Sequence, residues 1–409
     1  MSAQIAIIGA GPSGCYLAQA LLKSQPDITV DVIDALPVPY GLVRYGVAAD
    51  HQGTKSLARQ FERVFERQGA RFFGNVTVGR DVNLAGVREA YDAVVLAAGL
   101  HVDRRLGIEG DEPANVIGAG ALTRALFEHP DADNLPNLGP HPLIIGQGNV
   151  AIDVLRLLAK SPEELEGSDL GSEATHWLAT SGIEMITIVG RSPAAQAKCD
   201  PVMIKELAKL STVSFEMGDL WGADNPDGEA KLSAFAALKG RRGTCRSVRF
   251  VFEHVPLAIV PKGSDKQVRF ATPDSEKTLY CSSIISAVGF DGDGVLPQAE
   301  PEEKLYATGW FANGPRGTIA QSRQNAAPLA ERILATLSAD PTKRGSTIFD
   351  GLPNVVDFVG WQRIDRYERA HAAPGRCRQK LAKRADIINV GRHEVQPTLK
   401  TSDEEELAS

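Results

Sequence analysis

The chain opens on a continuous apolar run, Ile5-Ala6-Ile7-Ile8, whose length and lack of alternation predict a parallel strand covered on both faces. It breaks into Gly9-Ala10-Gly11-Pro12-Ser13-Gly14. Pro12 suits the first turn of a helix, where its missing N–H costs nothing. Leu17, Ala20 and Leu21 then recur at helical spacing, and Thr29 to Ile33 forms a second strand ending at Asp34. The same order returns later. Leu143-Ile144-Ile145 leads into Gly146-Gln147-Gly148-Asn149-Val150-Ala151, a helix to about Lys160, and a strand Ile186 to Val189 that ends at Gly190-Arg191. Around these lie a turn-rich stretch over 37–53, a charged helix over 55–67 and a buried strand from Tyr91 to Ala97 closing at Ala98-Gly99. Residues 161–182 read as a polar, partly helical excursion. Asp200-Pro201 starts a short helix as cap and first residue. The stretch 212–288 reads as strand-rich, with Val248, Phe250 and Phe252 alternating, and closes with the strand from Ser283 to Gly289. Leu305 to Trp310 is a strand running into a glycine turn, and Gly314 to Ile319 opens a helix to about Leu337.

This order predicts an α/β fold of two Rossmann-like nucleotide-binding units, the second inserted into the first. The first unit takes residues 1–103 and 291–395, the second 104–290, and 396–409 is an acidic tail expected to be a solvated, flexible end.

Each glycine of the first turn has its own task. Gly9 makes the tight turn, Gly11 lets backbone approach a pyrophosphate, and Gly14 lets helix and strand pack closely. The helix start offers free N–H groups and a positive dipole end to phosphates. Asp34, 20 residues after Gly14, stands where an acid accepts hydrogen bonds from ribose hydroxyls. The fingerprint alone does not separate FAD from NAD. Position favours FAD, because in two-nucleotide flavoenzymes the N-terminal site takes the flavin and the chain's later part returns to cover it. Gly309-Trp310 and Gly314 to Ile319 are that return. A helix start at Gly317, Thr318 and Ile319 sets N–H groups where negative charge develops on a reduced flavin.

The second turn, Gly146 to Ala151, has the GxGxxA form common for NADP. No acid follows the next strand; Arg191 stands there instead and suits a 2′-phosphate. Asp153 lies one turn into the helix and must avoid the pyrophosphate. It points to the nicotinamide end of the cleft or merely compensates the helix dipole.

Composition narrows the function. With 43% apolar and 23% charged residues the chain is an ordinary globular protein, and a net charge of -7 gives no pull toward nucleic acid or anionic membrane. No apolar stretch approaches the about 20 residues of a membrane helix, and the N-terminus lacks the positive region of a signal peptide. A cytoplasmic protein is expected, a monomer rather than an obligate oligomer. The five cysteines, Cys15, Cys199, Cys245, Cys281 and Cys377, form no CxxC or CxxxxC pair. This disfavours a redox disulfide, and with it the thioredoxin- and glutathione-reductase-like use of two nucleotides. No metal site is expected.

Taken together, these segments resemble the adrenodoxin-reductase type of ferredoxin–NADP reductases, including its bacterial members. The match covers about 1–395. It includes the loop Pro37-Val38-Pro39-Tyr40-Gly41-Leu42-Val43-Arg44-Tyr45-Gly46-Val47-Ala48-Ala49-Asp50-His51, then Gly146 to Asp153, Gly190-Arg191 with Glu206-Leu207, Gly309-Trp310, Gly314-Pro315 and Gly360-Trp361-Gln362-Arg363-Ile364-Asp365. The resemblance implies non-covalent FAD, hydride from NADPH, and single electrons passed to a small iron–sulfur protein. It adds Leu42, Val47 and Gly99 to the FAD contacts and Ser192, Glu206 and Gly317 to those of NADP. His51, Asp153 and Glu206 become the polar group at the flavin–nicotinamide contact.

Three departures stand out. Ser192 replaces the second of two adjacent arginines, so NADH use is left open. Arg316 stands in the family's Gly-Pro-Thr-Gly turn, and Leu100 follows Gly99 in place of a small residue. An acidic ferredoxin calls for a basic face. Arg241, Arg242, Arg246 and Arg249 cluster in the second unit. The segment 363–384 carries Arg363, Arg366, Arg369, Arg376, Arg378, Lys380, Lys383 and Arg384 against Asp365 and Glu368. The rival readings are an NAD(P)H diaphorase reducing a quinone or other small acceptor, and a flavin-bearing electron-transfer subunit. No FxGxxxHxxxW-type segment supports a monooxygenase.

Overall fold

The computed structural model describes residues 2–263, 265–296 and 303–393, so the acidic tail at 396–409 lies outside the described residues. Two parallel sheets dominate. The first runs Leu305–Ala307, Ala93–Leu96, Gln4–Ile8, Thr29–Asp34, Arg71–Gly74. Its chain order reverses at Gln4–Ile8, which puts a crevice beyond the carboxyl end of that strand. The second runs Val116–Gly118, Ser283–Ser286, Pro142–Ile145, Met185–Val189, Arg246–Val251, Val213–Met217, and reverses in the same way at Pro142–Ile145. The two-unit architecture expected from the pattern of runs and turns is therefore present, with the last strand of the first sheet supplied after the whole of the second.

Both faces of each sheet are covered, as the continuous apolar runs require. Helix Pro12–Ser24 packs against helix Ile319–Thr336, and Ser13 Oγ donates to Ser322 Oγ at 3.2 Å between them. On the second sheet, the antiparallel meander Val255–Lys262, Asp265–Ala271, Glu276–Cys281 lays Ile259, Val268 and Phe270 over Leu143, Ile145 and Ile284. A two-stranded ribbon pairs Val102–Asp103 with Phe290–Asp291 where the chain leaves the first sheet and returns.

The cap expected at Asp200 is present, its carboxylate accepting the Val202 N–H at 2.8 Å. Three local expectations change. The helix over 55–67 is two, Gln52–Lys55 and Ala58–Glu66. The stretch read as strand-rich contains helix Pro226–Ala236, whose start is signalled by Asn225-Pro226: Asn225 accepts the Gly228 N–H at 2.9 Å. The glycine turn at Gly309 opens a short helix, Gly309–Asn313.

Candidate functional site

The six turn positions divide by what their side chains would meet. Gly9 has φ +115°, and a Cβ there would lie 2.3 Å from the Ala97 carbonyl oxygen. Gly146 repeats this at φ +124°, with its Cβ 2.3 Å from the Ala287 oxygen. At Gly14 a Cβ would stand 2.0 Å from the Gly9 oxygen, whereas Ala151 is fully buried in the corresponding place. These residues are demanded by the fold. Gly11 and Gly148 differ. Their φ values, -74° and -92°, are ordinary for any residue, and a Cβ at either meets no protein atom within 4 Å. Folding asks for no glycine at these two positions.

Around the first turn, Asp34 accepts the Ala10 N–H at 2.7 Å and the Leu36 N–H at 2.8 Å, which ties the second strand's end to the turn. Burial pushes its carboxyl up to about 6, against these two hydrogen bonds. Leu42 is exposed and Val47 half-buried on either side of the short helix Leu42–Tyr45. Gly99 has φ +73° with open space at its Cβ position. A Cβ at Gly309 would strike Ser13 Oγ at 2.2 Å, so the returning segment touches the first turn directly. Trp310 stacks on Phe290 with centroids 5.9 Å apart. Gly317 has φ +90°, and Thr318 caps the helix that begins at Ile319 by accepting the Gln321 N–H at 3.3 Å.

Around the second turn, the side chains of Gln147 and Asn149 bond within the protein. Gln147 points into the fold, donating to the Val251 oxygen at 3.1 Å and the Ile188 oxygen at 3.4 Å. It occupies the space that a Cβ on Gly190 would need, 2.1 Å from Gln147 Oε1. Asn149 accepts the Asp200 N–H at 2.8 Å. Gln147 is buried, whereas Asn149 is exposed. Val150 is half-buried, Arg191 is exposed, and the Ser192 carbonyl accepts the Glu253 N–H at 3.2 Å.

His51, Asp153 and Glu206 come together. His51 Nε2 lies 2.9 Å from Glu206 Oε2, and its Nδ1 lies 4.0 Å from Asp153 Oδ1. Asp153 thus turns toward the first unit's loop. Burial raises its carboxyl, while Arg156 and His51 oppose that. Arg156, one turn further along the helix, donates to Asp153 Oδ1 at 2.9 Å and to Asp50, and its Nε stands 3.8 Å from Glu206. Lys160 reaches the same Asp50 oxygen at 2.5 Å. Burial works to raise Asp50, but the two cations outweigh it and hold its carboxyl down at about 2. Asp50, His51, Arg156, Lys160 and Glu206 border a cleft of about 330 Å³ with Glu164, Lys209 and Leu210.

Most of the cations counted toward a basic docking face are hydrogen-bonded or ion-paired within the fold. Arg246 spends its guanidinium on the carbonyls of Leu158, Lys160, Leu178 and Ile183, and Arg241 on that of Ala208. Arg249 pairs with Glu216. In the segment 363–384, Arg363 bonds the Gly391 carbonyl, Arg369 and Arg378 pair with Asp365, and Arg376 bonds the Leu165 carbonyl. Lys380 is buried on Asp169, and Arg384 pairs with Asp131. Arg242, Arg366 and Lys383 stay exposed. All five cysteines are free, no metal-binding group of side chains occurs among the described residues, and none of their helices is long and apolar enough to cross a membrane.

The family model for pyridine nucleotide-disulphide oxidoreductases matches residues 3–219. Cindoxin reductase of Citrobacter braakii is 39% identical over 419 residues, covering 95% of this chain and 91% of that protein. The mitochondrial NADPH:adrenodoxin oxidoreductase of Drosophila melanogaster is 31% identical, covering 95% and 93%. The chain belongs to the adrenodoxin-reductase type of ferredoxin–NADP reductases. Among solved structures of this type, Mycobacterium tuberculosis FprA in complex with NADPH superposes with a TM-score of 0.88 at 28% identity, over 96% of this chain and all of that one. The disulphide in the broader family's name has no counterpart in the free thiols here.

Sequence reasoning on this reductase missed Asp50, Arg156 and Lys160, although two signals were present. Asp50 adjoins His51, and Arg156 follows Asp153 at the i,i+3 spacing of a helical ion pair.

Proposed function

We propose that the first glycine turn holds FAD, that the second holds NADPH, and that the group around His51 lies where their reactive rings meet. The observation that carries this is the pair Gly11 and Gly148, glycines for which the fold has no use and which a pyrophosphate explains in both units. The bound flavin supplies the conversion of a hydride's two electrons into single electrons. The chain's own residues bind, orient and screen. The N–H groups at Pro12–Ser24 and Asn149–Ala159 face the two pyrophosphates. Asp34 holds the turn and retains lone pairs for ribose hydroxyls. The helix start at Gly317, Thr318 and Ile319 faces the flavin's pyrimidine side, with Leu42, Val47, Gly99 and Trp310 as its walls.

Arg191 is exposed and meets the 2′-phosphate; with Ser192 beside it in place of a second guanidinium, the preference for NADPH over NADH is moderate. His51, bracketed by Asp153 and Glu206, orients the nicotinamide and holds a proton close to it. Unit boundaries at 103/104 and 290/291 fit the ribbon of Val102–Asp103 with Phe290–Asp291. The acceptor is a ferredoxin-type iron–sulfur protein, acidic on its docking face, met by exposed cations such as Arg242, Arg366 and Lys383 rather than by Arg246 or Lys380. The enzyme works in the cytoplasm as a monomer.

Anaerobic stopped-flow mixing with NADPH tests the core. The purified protein carries FAD that bleaches on mixing, faster than with NADH. A protein without flavin, or a flavin that stays oxidised, refutes it. Ferredoxin-dependent cytochrome c reduction at rising salt tests the acceptor: a rate indifferent to ferredoxin and to salt points to a small-molecule acceptor.

A further inference from the structure

Arg156 is nearly enclosed, with a side chain 3% exposed, on a helix whose other inward residues are aliphatic. It meets carboxylates from three elements. Asp50 belongs to the loop preceding His51, Asp153 to its own helix, and Glu206 to helix Pro201–Leu207. Its contacts with the last two are specific to one oxygen each. Glu206 Oε2 stands 2.9 Å from His51 Nε2 and 3.8 Å from Arg156 Nε. Asp153 Oδ1 stands 2.9 Å from an Arg156 terminal nitrogen and 4.0 Å from His51 Nδ1. His51, Glu206, Arg156 and Asp153 therefore close a ring in which two cationic or potentially cationic groups alternate with two carboxylates. Arg156 Nε is buried and has no hydrogen-bond partner, with Glu206 the carboxylate it faces.

We infer that Arg156 is the positioning residue of this site. Its planar fork holds Asp153 and Glu206 on the two nitrogens of His51, and its bond to Asp50 fixes the second unit's helix onto the first unit's loop. The inference rests on the reading of the site given above. A lysine is a single point charge and cannot reproduce the fork. The charged groups that face His51 are Asp153 and Arg156 from one helix, Glu206 from another and Asp50 from its own loop. Lys160, Glu164 and Lys209 border the cleft beyond. Without Arg156, no group holds Asp153 and Glu206 together against the imidazole.

The test compares holoenzymes of wild type, Arg156→Gln and Arg156→Lys, by anaerobic reduction with NADPH and by the NMR shifts of 15N-labelled histidine. Arg156→Gln slows flavin reduction by about 10- to 100-fold at unchanged FAD content. The His51 ring-nitrogen shifts move away from their wild-type positions as its two carboxylates are released. Arg156→Lys leaves both readouts displaced, because a point charge does not rebuild the fork. A wild-type rate in Arg156→Gln, or a slow rate with unmoved His51 shifts, overturns the inference. If Arg156→Gln yields no folded holoenzyme, a wild-type rate in Arg156→Lys overturns it. If wild-type flavin is not reduced by NADPH, the functional reading fails, and the His51 shifts still decide the role of Arg156.

Discussion

Substituting alanine at Gly9 and at Gly11 separates what the fold needs from what a ligand needs, two positions apart. At Gly9 the new methyl must sit 2.3 Å from the Ala97 oxygen, in a backbone held at φ +115°. Strain at a positive φ and overpacking against strand backbone together cost about 2–6 kcal/mol. At Gly11, φ is -74° and the methyl meets nothing in the protein. Gly11 caps helix Pro12–Ser24, so alanine costs about 0.5–1 kcal/mol as a poorer cap. It recovers about 0.4–1 kcal/mol by stiffening the unfolded chain. The two nearly cancel, and the apoprotein's stability should stay within about 1 kcal/mol of wild type. The cost appears on binding. A methyl forced against a bound pyrophosphate is worth about 1–3 kcal/mol, or roughly 5- to 150-fold in the FAD dissociation constant. Thermal melting of the deflavinated protein and fluorescence titration with FAD read the two quantities separately. The reasoning is refuted if Gly11→Ala lowers the apoprotein's Tm as far as Gly9→Ala does, or if it binds FAD as tightly as wild type.

Three further outcomes are expected. Arg191→Ala should lower the NADPH-to-NADH ratio of kcat/KM by about tenfold, the worth of one exposed charge-assisted contact, and Ser192→Arg should raise it; equal effects on both coenzymes would remove Arg191 from the 2′-phosphate. Glu368→Ala leaves Arg44 buried without its partner at 2.5 Å, so unfolding should become easier by about 3–5 kcal/mol; an unchanged urea midpoint would contradict the pairing. Burial pushes Glu128 up from 4.5 to about 7, with Lys380 and Gln379 opposing. For a carboxyl raised on folding, stability is fullest below pH 4.5 and falls as pH rises through 7. Glu128→Gln should therefore be the more stable protein at pH 8, by about 2 kcal/mol, and gain nothing at pH 4.5; a pH-independent difference would refute the shift.

The turns were legible because their chemistry is local. A glycine at a fixed offset from an apolar run carries its own backbone argument, and Gly9, Gly14 and Gly146 all prove to be needed where the pattern put them. The His51–Glu206 contact spans 155 positions, and no periodicity connects them; only the resemblance brought them together. Charge counting along 363–384 gave no view of how those charges pair, for a related reason. A run of arginines and lysines says nothing of partners that arrive from elsewhere, and here Asp131 and Asp169 do so. The carbonyls that saturate Arg246 leave no trace in sequence at all, since any residue supplies them. The inward turn of the Gln147 side chain was not legible either, because a fingerprint assigns positions to a ligand without saying which side chains turn inward.

The loop from Pro37 to His51 is where these separate pieces become one site. One end lies on the first turn: Tyr40 donates its N–H to the Ala10 oxygen at 2.8 Å, and a Cβ at Gly41 would come 3.2 Å from Gly11 Cα. The other end carries Asp50 and His51 onto the helix that follows the second turn. Between them the loop is held by the buried ion pair of Arg44 with Glu368, and just past His51 by Lys55 with Asp169, the latter shared with Lys380. Such pairs add little stability over well-packed apolar residues, because desolvation takes back most of the attraction. Their value here is register. Apolar contacts tolerate a slide, whereas a buried charge displaced from its partner costs several kcal/mol at once. The helix Phe358–Ala370 serves the same end, with Trp361 set edge-on to Tyr40 at 5.5 Å and under the Arg44 guanidinium at 5.2 Å. The two nucleotide turns are thus linked by a loop of fixed length, pinned by charge at its middle and its far end. A hydride passed between two bound nucleotides needs that fixed span.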